Sequence, residues 1–352
     1  MDSIGFLKRL LDTPGPSGFE AEAARVWRAE AEGFADQVSS DVSGNSMATL
    51  RGQEPRVMLA GHIDEIGIMV THIDDEGFVY FDGIGGWDPQ VLVGQRIRLL
   101  GRNGGVVGVV SKKPIHLIKG EEKEKASKLE DLWLDVGASK RDAVHEAGLR
   151  VGDPGVIDCT LLELGDGRIA SRSIDNRIGA FVVLEALRLL AAERPAATVT
   201  AVATTQEEIG YSGGGARPSA YQLDPQVAIV VDVTFATDAP GLEKKELGDH
   251  KLGGGPVLTR GSAAHPVVFD RLVEAAERER IPYTIGASPR YTATDADAIY
   301  LSRAGVPTGV VSVPNRYMHS PNEIVSTKDL AAAARLIAAF VRGLEAGASF
   351  LP

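Results

Sequence analysis

Two kinds of apolar pattern alternate along the chain. Residues 3–12 and 20–31 carry apolar positions at helical spacing and predict two short helices, separated by Pro14-Gly15-Pro16-Ser17-Gly18, which can continue neither. The run Val57-Met58-Leu59-Ala60 is continuously apolar, the pattern of a strand buried on both faces of a helix-covered sheet, and it stops at Gly61-His62-Ile63-Asp64. Residues from about 68 to 165 break instead into short β-like runs, among them Phe78–Phe81, Gln95–Leu100 and Val106–Val110, punctuated by glycines and charged turns. Strand–helix alternation then resumes. A segment ends at Ser173-Ile174-Asp175, a helix covers about 177–193, the strand Thr198–Thr204 ends at Gln206-Glu207-Glu208, and the strand Val227–Val231 ends at Asp232. Helices near 266–279 and 328–343 flank a strand at Val306–Val313, with Ser326-Thr327 as an N-cap. The pattern predicts an α/β catalytic domain, a helix-flanked sheet built from residues 1–67 and 166–352, split by a small β-rich insertion at 68–165.

Composition narrows the function classes. The 352 residues carry a net charge of −11 without Lys/Arg-rich runs, which disfavours nucleic-acid backbone binding. The most apolar helix-like run is interrupted by Glu185 and Arg188, so no membrane partner is expected, and Met1-Asp2-Ser3-Ile4 shows no basic-then-apolar leader. A cytoplasmic protein is the expectation. Cys159, the single cysteine, can form neither an intrachain disulfide nor a thiolate cage, so any metal must be held by His, Asp and Glu.

Five such residues, His62, Asp175, Glu208, Asp232 and His319, each lie just beyond an apolar run. One polar residue at a strand end is ordinarily a loop residue or a helix cap; five at one predicted sheet edge, where open α/β sheets place their ligand crevice, point to a metal centre. Imidazole and oxygen donors without thiolate suit zinc, cobalt or manganese. The tripeptide His-Ile-Asp occurs twice, but only His62 follows a buried strand. His72 leads into Asp74-Asp75-Glu76-Gly77, a solvated hairpin turn, and is assigned a structural role. His145, His250 and His265 read as surface residues, and His116, between apolar neighbours, as a satisfied core histidine. In the pair Glu207-Glu208 one carboxylate can bind metal while the other moves protons, as metal-assisted hydrolysis requires. The glycine clusters at 83–86 and 104–108 lack the Lys-Ser/Thr of a phosphate loop and read as turns. No Gly-x-Ser-x-Gly elbow occurs, and Cys159 has no histidine near it in sequence.

Taken in order, Pro14-Gly15-Pro16-Ser17-Gly18-Phe19-Glu20, Gly61-His62-Ile63-Asp64-Glu65-Ile66-Gly67, Ile174-Asp175-Asn176-Arg177, Gln206-Glu207-Glu208-Ile209-Gly210, Asp232-Val233-Thr234, Thr294-Asp295-Ala296 and Arg316-Tyr317-Met318-His319-Ser320-Pro321-Asn322-Glu323 resemble the dinuclear-metal aminopeptidases that assemble into hollow tetrahedral (TET) particles. The resemblance spans nearly the whole chain. It implies a mixed-sheet catalytic domain of the phosphorylase/hydrolase type and two divalent ions per subunit, zinc or cobalt. Asp175 would bridge them, His62 and Asp232 would complete one site, and Glu208 and His319 the other. Glu207 would be the general base, and Asp64 would orient His62. Short peptides with a free N-terminal amine would be the substrates, and a homododecamer, packed in part through the insertion, the assembly. The insertion falls between His62 and Asp175, as in this family, whereas related deacylases and carboxypeptidases carry their extra domain later. Tyr211-Ser212-Gly213-Gly214-Gly215 is more glycine-rich than the family's usual continuation. Some relatives carry an endoglucanase label, but cleaving a glycoside has no evident need for two histidines in line with three acids. A non-catalytic scaffold retaining the fold is the remaining alternative.

Overall fold

The computed structural model describes residues 3–210 and 213–352. Among them, four parallel strands form the centre of a large mixed sheet, in the order Ala197–Thr204, Gln53–His62, Val227–Phe235 and Thr308–Asn315. Each is apolar throughout because both faces are covered. Val57 and Leu59 join the core under one helical layer, whereas Met58 and Ala60 point into the core on the opposite face. The first layer comprises the helices Ser3–Asp12, Ala21–Ala31, Ile174–Ala192, Pro266–Glu279 and Thr327–Arg342, and the second the short helices Ala216–Leu223 and Ala296–Ile299. Ser326 caps the last long helix, its hydroxyl accepting from the Lys328 amide. Trp27 is wholly buried, and its indole N–H donates to the Ala180 carbonyl at 2.8 Å, which pins the second helix onto the long central one.

The chain leaves this sheet after His62 and forms a closed barrel from Gly67–Ile73, Val79–Ile84, Trp133–Asp135, Gly104–Ser111, Arg96–Gly101 and Pro154–Ile157. Ile68, Val70, Phe81, Ile97, Leu99 and Leu134 give it a core separate from that of the large sheet, and closure leaves no free edge. No helix among the described residues is long and apolar enough to cross a membrane.

Several local expectations change. The strand carrying Asp232 continues to Phe235, because Val233, Thr234 and Phe235 keep pairing with Val313, Pro314 and Asn315. His116 is exposed in a short turn rather than buried, flanked by Ile115 and Leu117, themselves more than half exposed. His250 is buried, not superficial, and its Nδ1 lies 2.8 Å from the Thr284 hydroxyl. Gly105 and Gly108 lie within a barrel strand instead of a turn. His72 sits in a strand beside the Tyr80 ring, and the expected hairpin turn follows it, the Gly77 amide donating to the Asp74 carbonyl.

Candidate metal centre

Parallel pairing sets the site. His62 ends its strand in register with Thr204, the last residue of the neighbouring strand, after which the chain turns through Gln206, Glu207 and Glu208. On the other side Asp232 stands in register with Ser312, and the chain beyond Asn315 leads to His319. Asp175 enters from the start of the helix Ile174–Ala192. All five residues named above therefore meet at one sheet edge.

Asp175 stands between the two imidazoles. Its Oδ1 is 3.3 Å from His62 Nε2, and its Oδ2 is 3.4 Å from His319 Nε2. His62 Nε2 also lies 3.6 Å from Glu207 Oε2 and 3.9 Å from Asp232 Oδ1, while His319 Nε2 lies 3.2 Å from Glu208 Oε2. Donor atoms of His62, Glu207 and Asp232 cluster closely enough for one cation, as do those of His62, Asp175 and Glu208. Both histidines turn Nε2 inward because Nδ1 is engaged elsewhere. His62 Nδ1 faces Asp64, 3.4 Å from Oδ1, and His319 Nδ1 is 2.8 Å from the carbonyl of Gly86, in the loop after a barrel strand.

Negative charge dominates this pocket. Burial, then the carboxylates of Asp232, Asp295 and Glu208, push Glu207 up to about 10 against the pull of His62. Burial also raises Glu208, and it raises Asp232 and Glu323 well above the usual carboxylate range. Burial opposes charge on His319 too, but contact with Asp175 and Glu208 lifts it to about 11. Asp175 resists burial, its two imidazoles holding it below the usual range. Glu208 Oε1 is buried without a hydrogen-bond partner among the described residues. A cation is the ligand this donor set fits: it would satisfy that oxygen and neutralise carboxylates that otherwise take up protons.

Several residues around the site carried no role in the sequence reading. Glu323 accepts from the amides of both Asp175 and His319 at 2.8 Å, tying together two segments far apart in sequence. Asp295 is buried against the Thr204 hydroxyl. Glu65 pairs with the buried guanidinium groups of Arg172 and Arg177; Arg177 donates further to the carbonyls of Leu10, Thr13 and Ile63. Removing one member of such a group strands the other charge, so Arg177→Ala is expected to destabilise the protein by about 3–5 kcal/mol, read as a lower denaturant midpoint. These contacts are non-local, and the only trace in sequence is that the residues sit inside the quoted motifs. Cys159 stays outside the chemistry, its thiol pushed up by burial and its Sγ near the Pro321 carbonyl.

The glycine-rich stretch has a structural reason where it is described; Tyr211 and Ser212 lie outside the described residues. A Cβ on Gly215 would stand 2.0 Å from Asn45 Oδ1, the atom that accepts from the Thr205 amide at the start of the Glu207 turn. One on Gly214, at φ +42°, would meet the Gln206 carbonyl at 2.5 Å.

Residues 44–336 match the family described as peptidase M42, M42 glutamyl aminopeptidase. A lysyl aminopeptidase of Pyrococcus furiosus is 36% identical over 342 residues, 96% of this chain and 96% of its own length. The crystal structure of a TET aminopeptidase from a marine sediment archaeon of the Thaumarchaeota superposes with a TM-score of 0.93 at 34% identity, over 97% of this chain and 96% of that one. The TET1 peptidase of Pyrococcus horikoshii, which can assemble into a tetrahedron or a large octahedral shell, superposes at 0.85 with 30% identity, over 97% and 100%. Fold and relatives together define a peptide hydrolase. The chain belongs to the M42 glutamyl aminopeptidase family.

Proposed function

We propose that this protein removes N-terminal residues from short peptides at a centre for two divalent cations, with Glu207 as general base. The observation that carries this reading is Asp175, a buried carboxylate presenting one oxygen to each of two inward-facing imidazoles. His62 and Asp232 with Asp175 would hold one ion, and Glu208 and His319 with Asp175 the other; zinc or cobalt suits such donors. Cations bound there would polarise the scissile carbonyl and make water nucleophilic near neutral pH. The protein's own groups do the rest. Glu207 takes a proton from the attacking water and delivers it to the leaving amine, with His62 and Asp232 beside it. Asp64 keeps the His62 ring oriented, and Glu323 fixes the backbone of Asp175 and His319.

The test is one assay with added zinc or cobalt, comparing aminoacyl-nitroanilides, an unblocked peptide, an N-acetylated peptide and a soluble cellulose. Release of free residues from the unblocked substrates alone is expected. Cleavage of the acetylated peptide would move the protein to a deacylase or endopeptidase, and sugar release alone to a glycosidase. Full activity with fewer than one ion per chain by elemental analysis would end the two-ion reading.

We further propose that residues 1–67 with 166–352 form the catalytic unit and 68–165 an assembly unit, and that the protein acts in the cytoplasm as a homododecamer, by likeness to the relative that forms a closed shell. Light scattering should then give a particle of about twelve chains; a monomer at working concentration would contradict it.

A further inference from the structure

The turn that carries Glu207 is held in an unusual way. Four consecutive amides, those of Thr205, Gln206, Glu207 and Glu208, each donate to a side chain from elsewhere in the fold. Asn45 Oδ1 accepts from Thr205 at 3.0 Å, Glu20 Oε1 from Gln206 at 3.1 Å, and Asp64 Oδ1 and Oδ2 from Glu207 and Glu208 at 3.2 and 3.1 Å. Gln206, immediately before the proposed base, sits at φ +60°, a left-handed conformation that a residue with a side chain keeps only when its surroundings enforce it. Asp64 already faces His62; Glu20 touches none of the proposed ion ligands. It is 7% exposed, makes no ion pair closer than 4 Å among the described residues, and spends one oxygen on two amides, Gly18 at 2.7 Å and Gln206. Burial and the nearby Asp64 raise its carboxyl to about 7, so the group is kept where it is poorly solvated.

We propose that Glu20 is a positioning residue for Glu207: from the loop after the first helix it fixes the left-handed Gln206 and thereby aims the Glu207 carboxylate. This rests on the reading of Glu207 as the base. Proton transfer needs the base within hydrogen-bond reach of the proton it takes, and a misplacement of about 1 Å is enough to lose about 100-fold in rate.

The test uses the metal-reconstituted enzyme and four variants: Glu20→Ala, Glu20→Asp, Glu20→Gln and Glu207→Gln, with Glu20→Ala also built on Glu207→Gln. Glu20→Ala should lower kcat about 10- to 100-fold, with KM within about twofold of wild type and the bound ion content unchanged. Glu20→Asp, one methylene too short to reach Gln206, should match it and serves if the alanine variant does not fold. Glu20→Gln keeps a carbonyl acceptor and should restore most of the rate. On the Glu207→Gln background, Glu20→Ala should have no further effect, because a residue acting only through Glu207 has nothing left to position. Equal factors on both backgrounds, a raised KM with kcat intact, wild-type kcat in Glu20→Ala, or Glu20→Gln as impaired as Glu20→Ala would each overturn the proposal while leaving the base assignment standing. Near wild-type turnover of Glu207→Gln would instead remove the base, and this proposal with it.

Discussion

Glu207→Gln is expected to lower kcat by about 100- to 10,000-fold while the protein keeps its ions. The amide preserves shape and hydrogen bonding but cannot accept a proton. Glu207 is also the more open member of the acidic pair, its side chain 20% exposed against 5% for Glu208, so it is the one that water can reach. The adjacent change has the opposite signature. Glu208→Gln replaces a carboxylate whose free oxygen is buried without a partner, and it should reduce ion retention first and activity as a consequence. Turnover and elemental content measured on the same preparations separate the two; a Glu207→Gln enzyme that turns over normally would exclude the base role.

Chelation should abolish turnover and weaken the fold. With the free ion at a thousand times its dissociation constant, each occupied site contributes about 4 kcal/mol, so removal should appear as a clear fall in the thermal midpoint. The pocket supplies the reason: without cations, burial keeps Glu207, Glu208 and Asp232 protonated far above the ordinary carboxylate range. Ion binding must therefore expel protons, and the heat of rebinding should vary with the ionisation enthalpy of the buffer. A midpoint unmoved by chelator and reversal would reject ion linkage.

Much of this arrangement is legible in the sequence because strand ends announce themselves. Val57–Ala60 is apolar on both faces and stops next to His62, and the run at Thr198–Thr204 stops next to the acidic pair, so period and burial place both at the sheet edge. Asp232 shows the limit: a buried acid inside a strand looks like the strand's end, since the ions and pairing that tolerate it are not local. His250 and His116 were misplaced for a related reason. Burial of a loop histidine depends on which distant hydroxyl reaches it, here that of Thr284, and exposure of Ile115, His116 and Leu117 depends on the barrel they decorate. The roles of Glu20, Glu65 and Glu323 rest on partners more than a hundred residues away and have no periodic signature.

The contact between Gln206 and Glu20, together with the placement of His319 opposite His62, also bears on how the enzyme comes into being on the ribosome. Translation delivers Glu20 almost first and His319 almost last, and no stretch between them contains the full donor set. A nascent chain can complete its barrel, whose strands all lie between residues 67 and 157, long before it can hydrolyse anything. Proteolytic capability is thereby withheld from unfinished polypeptides, and a chain cut short before residue 319 would be inert toward its neighbours in the crowded cell.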